Sequence, residues 1–110
     1  MDQPLDQDFD QDCPPALVPE GAEARELPII NRRGLHARAS AKFVQTVERF
    51  DSEVTVTRCG ETVGGRSIMG LLTLGAAKGT TITVTALGDD AAESLAALAA
   101  LVENRFGEEE

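Results

Sequence analysis

The chain has 110 residues, with 19 acids against 10 Lys and Arg, one His, two Cys, four Phe and neither Trp nor Tyr. A formal charge of −9, a pI near 4.5 and the lack of Trp and Tyr argue against nucleic-acid binding, which needs a basic surface and ring platforms. The length is that of one domain and the acidity is segregated: residues 1–26 hold eight acids against Arg25, a net −7, while 108–110 add −3 and 27–107 sum to +1.

Residues 1–25 are rich in Asp, Gln, Pro and Glu, with Pro4, Pro14, Pro15 and Pro19 spread among them. Such a segment has too little apolar surface to offset its ordering entropy, so it is predicted to be a disordered acidic extension. Phe9 and the pair Leu17-Val18 are its only candidate docking elements. Its acidic start is unlike a signal peptide, and no apolar run approaches the roughly 20 residues of a membrane span, so a cytoplasmic protein without membrane insertion is expected. Cys13 and Cys59 are far apart and in different kinds of segment, so both are expected to be free thiols.

The folded domain is predicted to occupy 26–107, with 108–110 as an acidic tail. Leu27–Ile30 reads as a short strand that Pro28 confines to an edge or a strand start. Between Leu35 and Phe50, the residues Phe43, Val44, Val47 and Phe50 recur at helical spacing. Val54 and Val56 alternate with Thr55 and Thr57, and Cys59-Gly60 marks a tight turn into a strand at 61–63. Ser67–Leu74 reads as a short helix between Gly64-Gly65 and Gly75, and Thr80–Leu87 as a strand with Ile82, Val84 and Ala86 inward. Asp90 and Glu93 have the spacing of a capping box for a last helix that buries Leu95, Leu98, Leu101, Val102 and Phe106 and stops at Gly107. The order β-α-β-β-α-β-α predicts an α+β fold, a mostly antiparallel sheet under helices in two layers. Strand order stays open, because a ferredoxin-like sheet with an extra helix has nearly the same pattern. The RNA-binding members of that class require exposed aromatics where this chain has Val, Thr and Ile.

The single histidine sits in Gly34-Leu35-His36-Ala37-Arg38, between the first strand and the first helix. Amides of a first helical turn lack intrahelical partners, and the macrodipole adds partial positive charge, so an anion at His36 is favoured. Arg38 supplies a guanidinium suited to phosphoryl oxygens, and Gly34 lets the backbone turn close to the ring. No second group is evidently placed to activate water, so the pattern describes a nucleophile whose phosphorylated form is stabilised locally, not a hydrolase. For a lone histidine among arginines the ordinary reading is a solvated helix cap; the motif outweighs it.

Gly34–Arg38 resembles the active-site signature of HPr, the histidine phosphocarrier family of the bacterial phosphoenolpyruvate-dependent phosphotransferase system. Arg66-Ser67-Ile68-Met69-Gly70-Leu71-Leu72-Thr73-Leu74-Gly75 resembles the family's regulatory-serine helix, and the likeness spans about residues 27–107. The resemblance implies an open-faced β-sandwich with a four-stranded antiparallel sheet and three helices. It implies that His36 accepts a phosphoryl group through Nδ1 from enzyme I and passes it to an EIIA-type protein, with Arg38 contacting the phosphate. It further implies that Ser67, which also reads as an N-cap, is phosphorylated by HPr kinase/phosphorylase. No metal or cofactor is expected on the chain, which is expected to be a monomer. The family commonly has proline where this chain has Ala39, a good helix former.

Ile68, Met69, Leu71, Leu72 and Leu74 fill five of seven positions of the second helix, more than a two-turn helix lying on a sheet can bury. Leu71 and Leu74 are assigned to the core, and Ile68, Met69 and Leu72 to partner docking. The alternative within the family is a regulatory protein of the nitrogen-related branch, which signals through protein contacts without sugar transport. A ferredoxin-like ligand-binding or RNA-binding domain is the alternative outside it.

Overall fold

The structure is a computed structural model and describes residues 13–14 and 16–109. The elements are β1 (Glu23–Pro28), α1 (Ala37–Val47), β2 (Glu53–Arg58), β3 (Glu61–Gly64), α2 (Ile68–Thr73), β4 (Thr81–Leu87) and α3 (Ala91–Glu103), followed by a single turn at Arg105–Gly107. The four strands form one antiparallel sheet in the order β1-β4-β2-β3. This order puts β1 at an edge, consistent with Pro28, and makes the expected open-faced sandwich with all three helices on one side. Inward-facing Leu27, Val54, Val56, Ile82, Val84 and Ala86 meet Phe43, Val44, Val47, Leu71, Leu95, Leu98 and Val102 from the helices in one buried core.

The register fixes both the core face and the turn chemistry. Ile82 and Val84 pair with Leu27 and Arg25 on one side, and Val84 pairs with Val56 on the other, so the aliphatic rows lie side by side across the strands. The outer face carries Thr55, Thr57, Thr62, Thr83 and Thr85, with Thr57 and Thr62 hydrogen bonded at 2.8 Å. At the β2–β3 turn Cys59 has φ 51° and Gly60 has φ 82°, the doubly left-handed pair that suits a two-residue hairpin.

Four expectations need correction. First, β1 begins at Glu23 and not at Leu27, so residues 23–25, assigned to the extension, are part of the sheet. They pair through backbone with Ala86, Thr85 and Val84, and their exposed, mostly polar side chains give no apolar alternation to read. Second, Cys13 and Cys59 are not free thiols but form a disulfide, with Cα atoms 4.4 Å apart. Sequence separation is a poor guide here, because closing a longer loop costs only slightly more entropy. The chain reaches the turn by running back over the sheet: Ala22 closes a turn on Pro19, Ala16 and Val18 line a shallow pocket with Ala24, Glu26 and Thr83, and Pro14 lies against Gly60.

Third, Asp90 is the N-cap of α3 but makes no capping box. Its carboxylate accepts instead from the amides of Asp51 and Ser52, each at 2.9 Å, and from the Ser52 hydroxyl. These bonds, the Ser52 hydroxyl foremost, hold its pKa below the usual Asp value. Fourth, α3 ends at Glu103, and Gly107 terminates the turn that follows. Within the extension, Leu17 is exposed, and Phe9 lies outside the described residues.

Candidate functional site

The site is built where β1 hands over to α1. Gly34 has φ 68°, and a Cβ there would stand 2.5 Å from the carbonyl oxygen of Ala76, so only glycine fits this turn. The turn is clamped by Gly34 N–H donating to Asn31 O at 3.2 Å and Leu35 N–H donating to Ala76 O at 2.9 Å. Leu35 and Ala39 are buried on either side of His36 in the sequence, which fixes the ring at the helix start. His36 is the N-cap of α1 with extended backbone, and Ser40 N–H makes the first intrahelical bond, to His36 O at 2.8 Å. The amides of Ala37, Arg38 and Ala39 precede that bond and lack intrahelical acceptors, which makes this end of an eleven-residue helix receptive to an anion.

Arg38 joins Arg32 and Arg33 around an open cleft that Glu108 and Glu109 also line. Glu108, placed in the acidic tail from the sequence, is instead part of this site. Its Oε2 is hydrogen bonded to His36 Nε2, and its Oε1 accepts from Asn31 Nδ2 at 3.0 Å. The His36 and Glu108 side chains are only 17% and 19% exposed. Asn31 is fully buried and also donates to Gly34 O at 2.8 Å, so the same amide holds the glycine turn and the carboxylate. Burial raises the Glu108 pKa, but hydrogen bonds from Asn31 and His36, together with the charges of His36 and Arg33, outweigh it and leave the group below its ordinary value.

Asn31 and Glu108 are the site residues that motif reading missed. The sequence signal for Glu108 lay in Phe106-Gly107: an apolar anchor and a glycine immediately before it can turn the chain end back onto the fold. Phe106 is fully buried, and Lys42 Nζ donates to its carbonyl at 2.6 Å.

The other expected residues lie on α2, which packs against α1. Ser67 is exposed and caps α2, its Oγ accepting from Gly70 N–H at 2.9 Å. Met69 is 70% exposed, Ile68 is exposed and Leu72 is half-buried, while Leu71 and Leu74 are in the core.

The family model for the PTS HPr component phosphorylation site matches residues 23–104. The phosphocarrier protein HPr of Neisseria meningitidis serogroup A is 52% identical over 86 residues, which is 78% of this chain and 97% of that protein. The chain belongs to the HPr family. HPr proteins are phosphocarriers of the phosphotransferase system, and the fold agrees with their solved structures. HPr-C-His from Thermoanaerobacter tengcongensis superposes with a TM-score of 0.77 at 41% identity, covering 80% of this chain and 99% of that one. The phosphocarrier protein NPr of Shewanella violacea is 39% identical over 84 residues, 76% of this chain and 92% of that protein.

Proposed function

We propose that this HPr-family chain carries a phosphoryl group on His36. The observation that carries the reading is the ring itself, held at the start of α1, whose first three amides lack intrahelical acceptors, and hydrogen bonded to Glu108, which lines a cleft together with Arg32, Arg33 and Arg38. A phosphate on Nδ1 would meet N–H donors and guanidinium groups, both of which favour its charge. In this reading enzyme I is the donor and an EIIA-type protein the acceptor, Arg38 contacts the phosphate, and Ile68, Met69 and Leu72 form the docking surface. The chain has no turnover alone, and acts as a cytoplasmic monomer. Incubation with enzyme I and radiolabelled phosphoenolpyruvate is expected to label the wild type and leave His36→Ala unlabelled; equal labelling of the two would overturn the assignment.

Ser67 is the proposed regulatory site. Its hydroxyl is exposed, and a phosphate there would sit beside Ile68 and Met69, placing charge and bound water within the apolar docking surface. HPr kinase/phosphorylase is expected to modify the wild type and not Ser67→Ala. The likeness to NPr favours a second reading, in which the phosphoryl group goes to regulators of the nitrogen-related branch without sugar transport. Transfer from the phosphorylated protein to a nitrogen-type EIIA, but not to sugar-type EIIA proteins, would select it.

A further inference from the structure

We infer that Glu108 is a positioning residue for His36, its carboxylate keeping the ring proton on Nε2 so that the Nδ1 lone pair faces the reaction. The inference rests on the phosphocarrier reading and adds to it a residue outside the matched segment 23–104. An ionised carboxylate can only accept hydrogen bonds, so in its contact with Glu108 Oε2 the ring nitrogen Nε2 must be the donor. In the neutral imidazole the other nitrogen then holds the free electron pair. No hydrogen bond to Nδ1 is made among the described residues.

The carboxylate is itself aimed. Both groups that Asn31 Nδ2 reaches, Gly34 O and Glu108 Oε1, are acceptors, which settles which way the amide faces. That orientation leaves Asn31 Oδ1 buried with no partner among the described residues, a destabilising arrangement that a purely structural amide would avoid. The backbone leading to Glu108 is strained as well. Arg105 and Phe106 both have φ 55°, in the left-handed region that side chains disfavour, and the turn persists because Phe106 is locked in the core and held by Lys42. A buried unpaired acceptor and two strained residues converge on one carboxylate, and that carboxylate touches the single histidine of the chain.

The consequence for transfer is a fixed proton inventory. The Nδ1 lone pair forms the new P–N bond, and the bond between phosphorus and the donor breaks with its electron pair leaving on the donor. The Nε2 proton stays in place, and the positive charge that the ring acquires lies against the Glu108 carboxylate. No proton has to leave before the bond forms.

With one histidine in the chain, its imidazole 15N signals can be assigned directly. In spectra recorded at alkaline pH, the unphosphorylated wild type is expected to show the proton on Nε2. Glu108→Gln and a chain ending at Gly107 are expected to lose that preference and to accept phosphate about tenfold more slowly, with the maximal rate of transfer from phosphorylated enzyme I lowered and the apparent affinity for it unchanged. Glu108→Asp should recover part of both. A wild-type ring protonated on Nδ1, an unchanged tautomer in both variants, or faster transfer in Glu108→Gln would overturn the inference. If the tautomer result holds but the wild type accepts no phosphoryl group, the phosphocarrier reading fails and the positioning of the ring by Glu108 stands.

Discussion

Cys13 and Glu108 lie near opposite ends of the chain, both beyond the segment that matches the family, and each ties its own acidic end back onto the fold by a different kind of bond. The attachment at Cys13 is covalent and answers to reductant. The attachment at Glu108 is a set of hydrogen bonds and answers to pH. Its lowered pKa means that its stabilisation is present above the ordinary Glu value of 4.5 and is lost as the pH falls through the lowered one. The two also differ in what they reach. Glu108 contacts His36, whereas Cys13 ties down a stretch whose Ala16 and Val18 lie beside Thr83 on the threonine face of the sheet, on the side away from the helices. Segments of similar composition therefore acquire different roles from the residue that anchors each: Phe106 in the core at one end, a cysteine at the other.

Removing the anchors in turn should separate the two ends. Phe106→Ala has the largest expected effect, about 3–5 kcal/mol of lost stability, because it empties a fully buried aromatic position and releases the strained turn. Urea denaturation would read the loss, and the His36 tautomer should change with it. Reducing the disulfide should cost less than the roughly 4 kcal/mol that loop closure allows, because the strap can detach while the core stays folded and so regains part of the entropy. The urea midpoint should fall in dithiothreitol, and the His36 signals should stay where they are. A tautomer that followed the disulfide and ignored Phe106 would reverse the comparison.

What the sequence showed and what it concealed divide along the same line. The aliphatic rows of β2 and β4, the helical spacing in α1, the N-cap at Ser67 and the motif around His36 are short-range patterns, and each follows from the neighbours of a residue along the chain. Glu23–Glu26 of β1 is held by backbone pairing with β4 and has no apolar rhythm to announce it. Asp90 had the spacing of a capping box, but its carboxylate goes to Ser52 and the Asp51 amide, an attraction visible only once the segment before β2 lies beside the start of α3. Cys13 meets Cys59, and Glu108 meets Asn31 and His36, across 46, 77 and 72 positions. Periodicity carries no information at such distances, and composition made each end read as a solvated run of acids.

The smallest expected effect concerns residues 1–12, which hold five acids and lie ahead of the disulfide. Pro28 pairs with Thr81, and Thr57 pairs with Thr83, so the Cys59 turn lies at the end of the sheet from which the chain enters the Asn31–His36 loop. Cys13, to which residues 1–12 are joined, is therefore fixed at the end of the molecule that carries the arginine cleft. If the proposed phosphoryl transfer to His36 holds, those five acids are predicted to weaken the attraction of Arg32, Arg33 and Arg38 for a phosphorylated, negatively charged donor. Deleting residues 1–12, which leaves Cys13 and β1 intact, should speed donor association about twofold at low salt, and the gain should vanish at 1 M salt, where charges act over only about 3 Å. Reduction should shrink the difference even at low salt, because it frees Cys13 from the Cys59 turn. Stopped-flow association of oxidised and reduced protein, with and without residues 1–12, makes the comparison; equal rates in all four would show that the disulfide has no bearing on where the acidic charge acts.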